Sequence, residues 1–206
     1  MREEMINHKK RVFITLGFAC LVIAGGIWFR ASREDQLRGK GGPGCLSFGQ
    51  GKTVLALFED FRCGPCHRFM EEIFPQIEAN YIETNRARFL FIPVAFLEGS
   101  KPLANAALGV YQIDSSLFVP FVHELFQIEE PTPEEILSAA RKVGITDLAR
   151  LAQCIEQEQY YKDLEKNLRL GEALMGDEFG TPTLFLNGKR IDTTWRDISQ
   201  KMDKKK

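Results

Sequence analysis

The stretch Thr53-Val54-Leu55-Ala56-Leu57-Phe58-Glu59-Asp60-Phe61-Arg62-Cys63-Gly64-Pro65-Cys66-His67-Arg68-Phe69-Met70 decides how the chain reads. Its first six residues form a short run rich in β-favouring side chains, the pattern of a buried strand. After the cysteines, Phe69, Ile73 and Ile77 recur at helical spacing, and Pro75 is expected to kink or end the first part of that helix. Two cysteines three residues apart at a strand-to-helix junction make a redox arrangement. Cys63 would stand at the helix start, where unpaired N–H groups and the positive end of the helix dipole stabilise a thiolate. Cys66, one turn further in, would lie close enough to close a disulfide or to release a mixed one.

The same spacing makes half of a zinc site, which needs a second pair of ligands. Cys20, Cys45 and Cys154 are scattered singly, and His8, His67 and His123 form no second cluster, so we expect no metal and no cofactor. His67 reads as a surface residue rather than a catalytic one. Cys45 and Cys154 are either a disulfide or two small buried hydrophobes, and the spacing does not choose.

With 206 residues, 44% of them hydrophobic, the chain can bury one core. Its 27 basic residues balance 28 acidic ones, and no basic stripe with interleaved aromatics occurs, which argues against a nucleic-acid surface. Residues 1–12 carry Lys9-Lys10-Arg11 and read as a cytosolic stub before an uncharged apolar run from Phe13 to Phe29. That run, about 17 residues or roughly 26 Å as a helix, reads as a transmembrane signal anchor or a signal peptide. Ala24-Gly25-Gly26 offers a cleavage site, but Ile27-Trp28-Phe29 prolong the apolar stretch, and we expect an uncleaved anchor. The first basic cluster would then stay in the cytosol and the bulk of the chain outside, where disulfides persist. Residues 30–44, charged and glycine-rich, read as a flexible tether, and 45–206 as the folded domain.

Within that domain, Arg88-Phe89-Leu90-Phe91-Ile92-Pro93-Val94 reads as a second strand joined to the first by a helical crossover, hence parallel to it. From about 102 to 176 the spacing turns helical throughout, with Thr132-Pro133 as one helix start and Asp147 or Thr146 as another. Then comes Phe179-Gly180-Thr181-Pro182-Thr183-Leu184-Phe185-Leu186-Asn187-Gly188-Lys189-Arg190-Ile191, where Asn187-Gly188 signals a hairpin and a cis bond at Thr181-Pro182 suits a proline just before a strand.

The phrases Phe58-Glu59-Asp60-Phe61-Arg62-Cys63-Gly64-Pro65-Cys66 and Gly180-Thr181-Pro182-Thr183-Leu184-Phe185-Leu186-Asn187-Gly188 resemble the two signatures of the thioredoxin superfamily in its DsbA-like branch, over residues 46 to 195. The resemblance implies an α/β thioredoxin-like fold with an inserted helical subdomain. It implies a protein thiol–disulfide oxidoreductase in which Cys63 is the nucleophile, Cys66 the resolving thiol and Pro182 a cis-proline beside the pair. Thr181 would touch client peptide through its backbone and help set the redox poise. The clients implied are reduced or misoxidised exported proteins in a bacterial periplasm or at an extracytoplasmic face, served by a DsbB-like or DsbD-like membrane partner. Relatives usually carry a buried carboxylate six positions before the first cysteine; here that place is Leu57, and proton transfer would fall to Glu59, on the same strand face by alternation, or to water, the other reading of Glu59 being simple solvation at a strand end. Gly64-Pro65 is the pair of thioredoxin, a reductant, so the direction stays open between oxidase, reductase and isomerase. A non-catalytic chaperone, or a module holding Cu(I) on the two thiolates, is the rival from another class.

Overall fold

The computed structural model describes Leu37 and residues 44–204. The stub, the anchor segment and most of the tether therefore lie outside the described residues. Period-two alternation builds the centre. In β2 (Thr53–Glu59), Val54, Ala56 and Phe58 face one side of the sheet, and Leu55 and Leu57 the other. In β3 (Ala87–Pro93), Leu90 and Ile92 follow the first side, and Phe89 and Phe91 the second. β2 and β3 are parallel, in register from Thr53 opposite Ala87 to Glu59 opposite Pro93. Short β1 (Leu46–Phe48) lies antiparallel to β3, and β4 (Thr183–Leu186) antiparallel to β2. β5 (Lys189–Ile191) closes the order β1-β3-β2-β4-β5. The β4–β5 turn is Asn187-Gly188 with φ of 48° and 82°, the doubly left-handed turn that this dipeptide favours. The Asn187 carboxamide oxygen accepts from Val54 N at 2.8 Å, fastening the turn to the start of β2.

Helix α1 fills residues 64–82 and differs from expectation at Pro75. The helix neither ends nor breaks there. Two α-helical pieces, Gly64–Arg68 and Phe74–Ile77, alternate with wider π-helical turns, Phe69–Ile73 and Glu78–Ile82. Pro75 falls in the first turn of the second α-helical piece, directly after a π-helical turn closed by Phe74 N to Phe69 O, so its missing N–H is accommodated. Phe69, Met70, Phe74, Ile77 and Tyr81 all point into the main core.

Five helices are inserted between β3 and β4: α2 (Ser100–Ile113), α3 (Phe118–Leu125), α4 (Pro133–Val143), α5 (Leu148–Glu156) and α6 (Tyr161–Met175). Thr132 Oγ1 caps α4 by accepting from Glu135 N at 3.2 Å, and Asp147 caps α5 by accepting from Arg150 N at 3.1 Å. Phe118 joins the insert to the sheet, its ring 5.1 Å from Phe91 and 5.3 Å from Phe48, so one continuous core spans both. On the opposite face of the sheet, Leu174 and Met175 of α6 pack with Val54, Phe58, Phe185 and Leu37. Leu37 is thus fully buried although it falls within the stretch read as a tether. The last helix, α7 (Trp195–Asp203), returns Ile198 and Met202 to the main core. Among the described residues, no helix is long and apolar enough to cross a membrane.

Candidate active site

β2 delivers the chain to Glu59, and a tight turn then places Cys63 at the start of α1. Cys63 N donates to Asp60 O at 3.0 Å, while the Cys63 carbonyl accepts from Cys66 N and His67 N at 3.0 and 3.1 Å. Cys63 is the N-cap residue, with extended backbone and a side chain that makes no capping bond, so its sulfur is free to face outward. Pro65 sits in the first turn, where no backbone bond is lost. Cys63 is half-buried and Cys66 fully buried.

The far end of the sheet supplies the opposite wall. The Thr181-Pro182 peptide is cis, and the Cys63 thiol donates to the Thr181 carbonyl at 3.2 Å. Thr183 Oγ1 donates to Gly180 O at 2.7 Å and shapes the loop. The Thr181 hydroxyl is buried beside both sulfurs.

The two thiols are pushed apart. The Cys63 thiol is lowered from the ordinary 9.0 to about 6, chiefly by the hydrogen bond from Cys66, with the Thr181 hydroxyl and the Cys66 amide adding to it against burial and the Asp60 charge. Burial pushes the Cys66 thiol far up, reinforced by its bond to Cys63 and by the Glu59 charge. One sulfur is ready to be a thiolate and the other keeps its proton.

Glu59, the last residue of β2, is fully buried, and neither carboxyl oxygen has a hydrogen-bond partner among the described residues. Burial first, then the Cys63 and Asp60 charges, raises its carboxyl well above the usual range. Solvation at a strand end, one of its two readings from sequence, does not occur. Neighbouring Asp60 is also fully buried but well supplied: Oδ1 accepts from Arg62 N at 2.8 Å, and Oδ2 from Phe96 N and Leu97 N at 3.0 and 3.2 Å. Phe96 and Leu97 are thereby held at the rim, 42% and 37% exposed, and Phe96 meets Phe179 edge-on at 5.2 Å.

The contacts of Arg62 and His67 were not read from sequence. Arg62 Nη1 donates to the carbonyls of Ile128 and Glu129 at 2.8 and 3.0 Å. His67 stacks on Phe126 with ring centroids 4.9 Å apart and lies 3.0 Å from Glu71 and 3.1 Å from Gln127. The insert thus forms a wall of the site, which local patterning could not reveal because the partners are 60 or more residues away. Cys45 and Cys154 are free thiols packed against different elements, pushed up by burial to about 12 and about 11. Cys45 sits on the α6 side of the sheet, and Cys154 Sγ lies 3.7 Å from Asn105 O. Among the described residues, no three His, Cys, Asp or Glu side chains converge as a metal site.

The profile of the family described as thioredoxin matches residues 49–204. Disulfide bond formation protein D of Bacillus subtilis is 27% identical over 149 residues, 68% of this chain and 65% of that protein, so the chain spans just under two thirds of this relative's length. Among solved structures, DsbA of Chlamydia trachomatis superposes with a TM-score of 0.70 at 26% identity, covering 77% of this chain and 89% of that one. Oxidised BdbD from Bacillus subtilis superposes with a TM-score of 0.69 at 24% identity, covering 78% and 92%. The chain belongs to the thioredoxin family, and its five-stranded mixed sheet with a helical insert is similar in fold to these DsbA and BdbD structures.

Proposed function

We propose that the chain exchanges disulfides with protein cysteines outside the cytoplasm, most simply as an oxidase of exported proteins. One observation carries this reading: the Cys63 thiol, lowered to about 6, faces the Thr181 carbonyl at the surface while Cys66 stays buried and protonated. A stabilised thiolate favours the reduced pair, which makes the disulfide a stronger oxidant.

In the forward direction a client thiolate attacks Cys63 Sγ of the disulfide. The client–Cys63 bond forms, the Cys63–Cys66 bond breaks, and Cys66 leaves with the electron pair. The Glu59 carboxyl, held neutral by burial, gives Cys66 its proton. A second client thiolate then attacks the client sulfur, and Cys63 leaves as the stabilised thiolate. The client has lost two electrons and the pair has gained them. Clients are reduced or misoxidised exported proteins, bound shallowly beside Thr181 and Pro182 with Phe96 and Leu97 as apolar rim. A DsbB-like membrane partner would reoxidise the pair, and residues 13–29 would keep the domain at the membrane.

A second reading, reductase or isomerase fed by a DsbD-like partner, is favoured by Gly64-Pro65 alone. The reduction potential in glutathione buffers separates the two. The oxidase reading predicts a value near the oxidising end of the family range, about −120 mV, and a value near about −270 mV would sink it. Oxidative refolding of a reduced client should be abolished by Cys63→Ser. Stoichiometric Cu(I) binding without turnover would instead favour the metal-holding module.

A further inference from the structure

Residues 126–129 of the insert meet three residues around the cysteines, Phe61, Arg62 and His67. Phe126 lies 5.5 Å from Phe61 and stacks on His67, Gln127 meets His67, and the Ile128 and Glu129 carbonyls take both bonds from Arg62 Nη1. These carbonyls follow the C-terminal end of α3, where backbone acceptors lack helical partners and a cation is favourable. Arg62 is also fixed through its backbone, since its N–H donates to Asp60 Oδ1, and the next amide, of Cys63, donates to Asp60 O. The residue immediately before the nucleophile is therefore held on two sides, by the strand end and by the insert.

The geometry points to Arg62 as a positioning residue: by clasping the turn after α3, it holds the Cys63 backbone where the sulfur meets Thr181 and the start of α1. The contacts that favour the thiolate, from the Cys66 thiol and amide and the Thr181 hydroxyl, depend on where the loop holds the sulfur, which lies 3.2 Å from the Thr181 carbonyl, so a small drift of the loop weakens them. Arg62 is exposed, and its two hydrogen bonds to neutral carbonyls add only modestly to global stability. Its removal should alter the chemistry without unfolding the chain. The inference rests on Cys63 being the thiolate of the proposed reaction.

The test compares wild type, Arg62→Met, Phe126→Ala and the double variant, reading the pH midpoint of Cys63 alkylation and the equilibrium constant with glutathione. Arg62→Met, which keeps the apolar stem and removes the donors, should raise the midpoint by about one pH unit and disfavour the reduced pair about tenfold, or ~30 mV. The change should persist in about 1 M KCl, where screening acts within ~3 Å, and should shrink by more than half in the Phe126→Ala background. Should Phe126→Ala fail to fold, His67→Ala removes the same stack from the α1 side. If Arg62→Met matches wild type in both readouts, or its effect vanishes in salt, the clasp is overturned. A wild-type Cys63 titrating like a free cysteine would overturn the parent reading and the clasp with it.

Discussion

Glu59 is a carboxyl sealed under the sulfur pair with no hydrogen-bond partner among the described residues, an arrangement that costs stability and is kept at sites that use it. Because its folded carboxyl holds the proton to higher pH than the unfolded one, the fold loses stability as pH rises through and beyond the unfolded carboxylate range. Glu59→Gln should therefore raise stability by roughly 1–3 kcal/mol near pH 7.5, with the gain fading below about pH 4, in urea melts. On the proposed reaction, in which Glu59 gives the leaving Cys66 its proton, the same variant should slow client oxidation; full activity would remove Glu59 from the reaction. Cys63 acts with the opposite sign. Lowered from 9.0 to about 6, it stabilises the reduced fold in full above the unfolded thiol value, and this contribution is lost as pH falls through about 6. The reduced protein should lose ground against the oxidised one between about pH 8 and about pH 5, and parallel urea melts of the two forms at both pH values would reveal it. At this scale the sequence was informative where neighbours in the chain are neighbours in space. Cys63, Cys66 and the helix start could be placed from spacing, whereas the meeting of Thr181 with Cys63 came from family resemblance. Asp60 and Arg62 kept their partners hidden because those lie 36 to 67 residues away.

Among elements, the insert and the sheet are one packed body rather than a core with an appendage, and close contacts decide how far either tolerates change. In α2, Gly109 lies against α5: a Cβ there would come within 2.8 Å of Cys154 Sγ and 3.2 Å of Leu151 Cδ1. Helix propensity alone would reward Gly109→Ala by about 1 kcal/mol. Overpacking should reverse that sign and cost about 1–3 kcal/mol, and Cys154→Ala should recover much of the loss; thermal melts of the two single variants and the double would check it. Helix existence here followed from apolar spacing and from Thr132, Pro133 and Asp147 at the starts, and strands β2 and β3 from their alternation. The passage of α1 through Pro75 was not legible, since widened turns leave no mark on apolar spacing. Leu37 was masked for a related reason: a lone apolar residue in a charged, glycine-rich stretch gives no periodic signal, yet it fills a place on the sheet beside Phe58 and Phe185.

Across the whole molecule, β2, the β4 loop and the insert converge on one point, and each sets a different property of it. The strand end brings the buried Glu59 and Asp60, the β4 loop brings Thr181, and the insert braces the loop through Arg62 and His67. The central claim is the division of labour between the two sulfurs, and alkylation of the reduced protein across pH, with the modified site identified by mass spectrometry, tests it most directly. The account predicts that Cys63 is modified with a midpoint near pH 6 while Cys66 stays unmodified throughout. A Cys63 midpoint in the range of a free thiol, about 8.5, or equal labelling of the two cysteines, would contradict it.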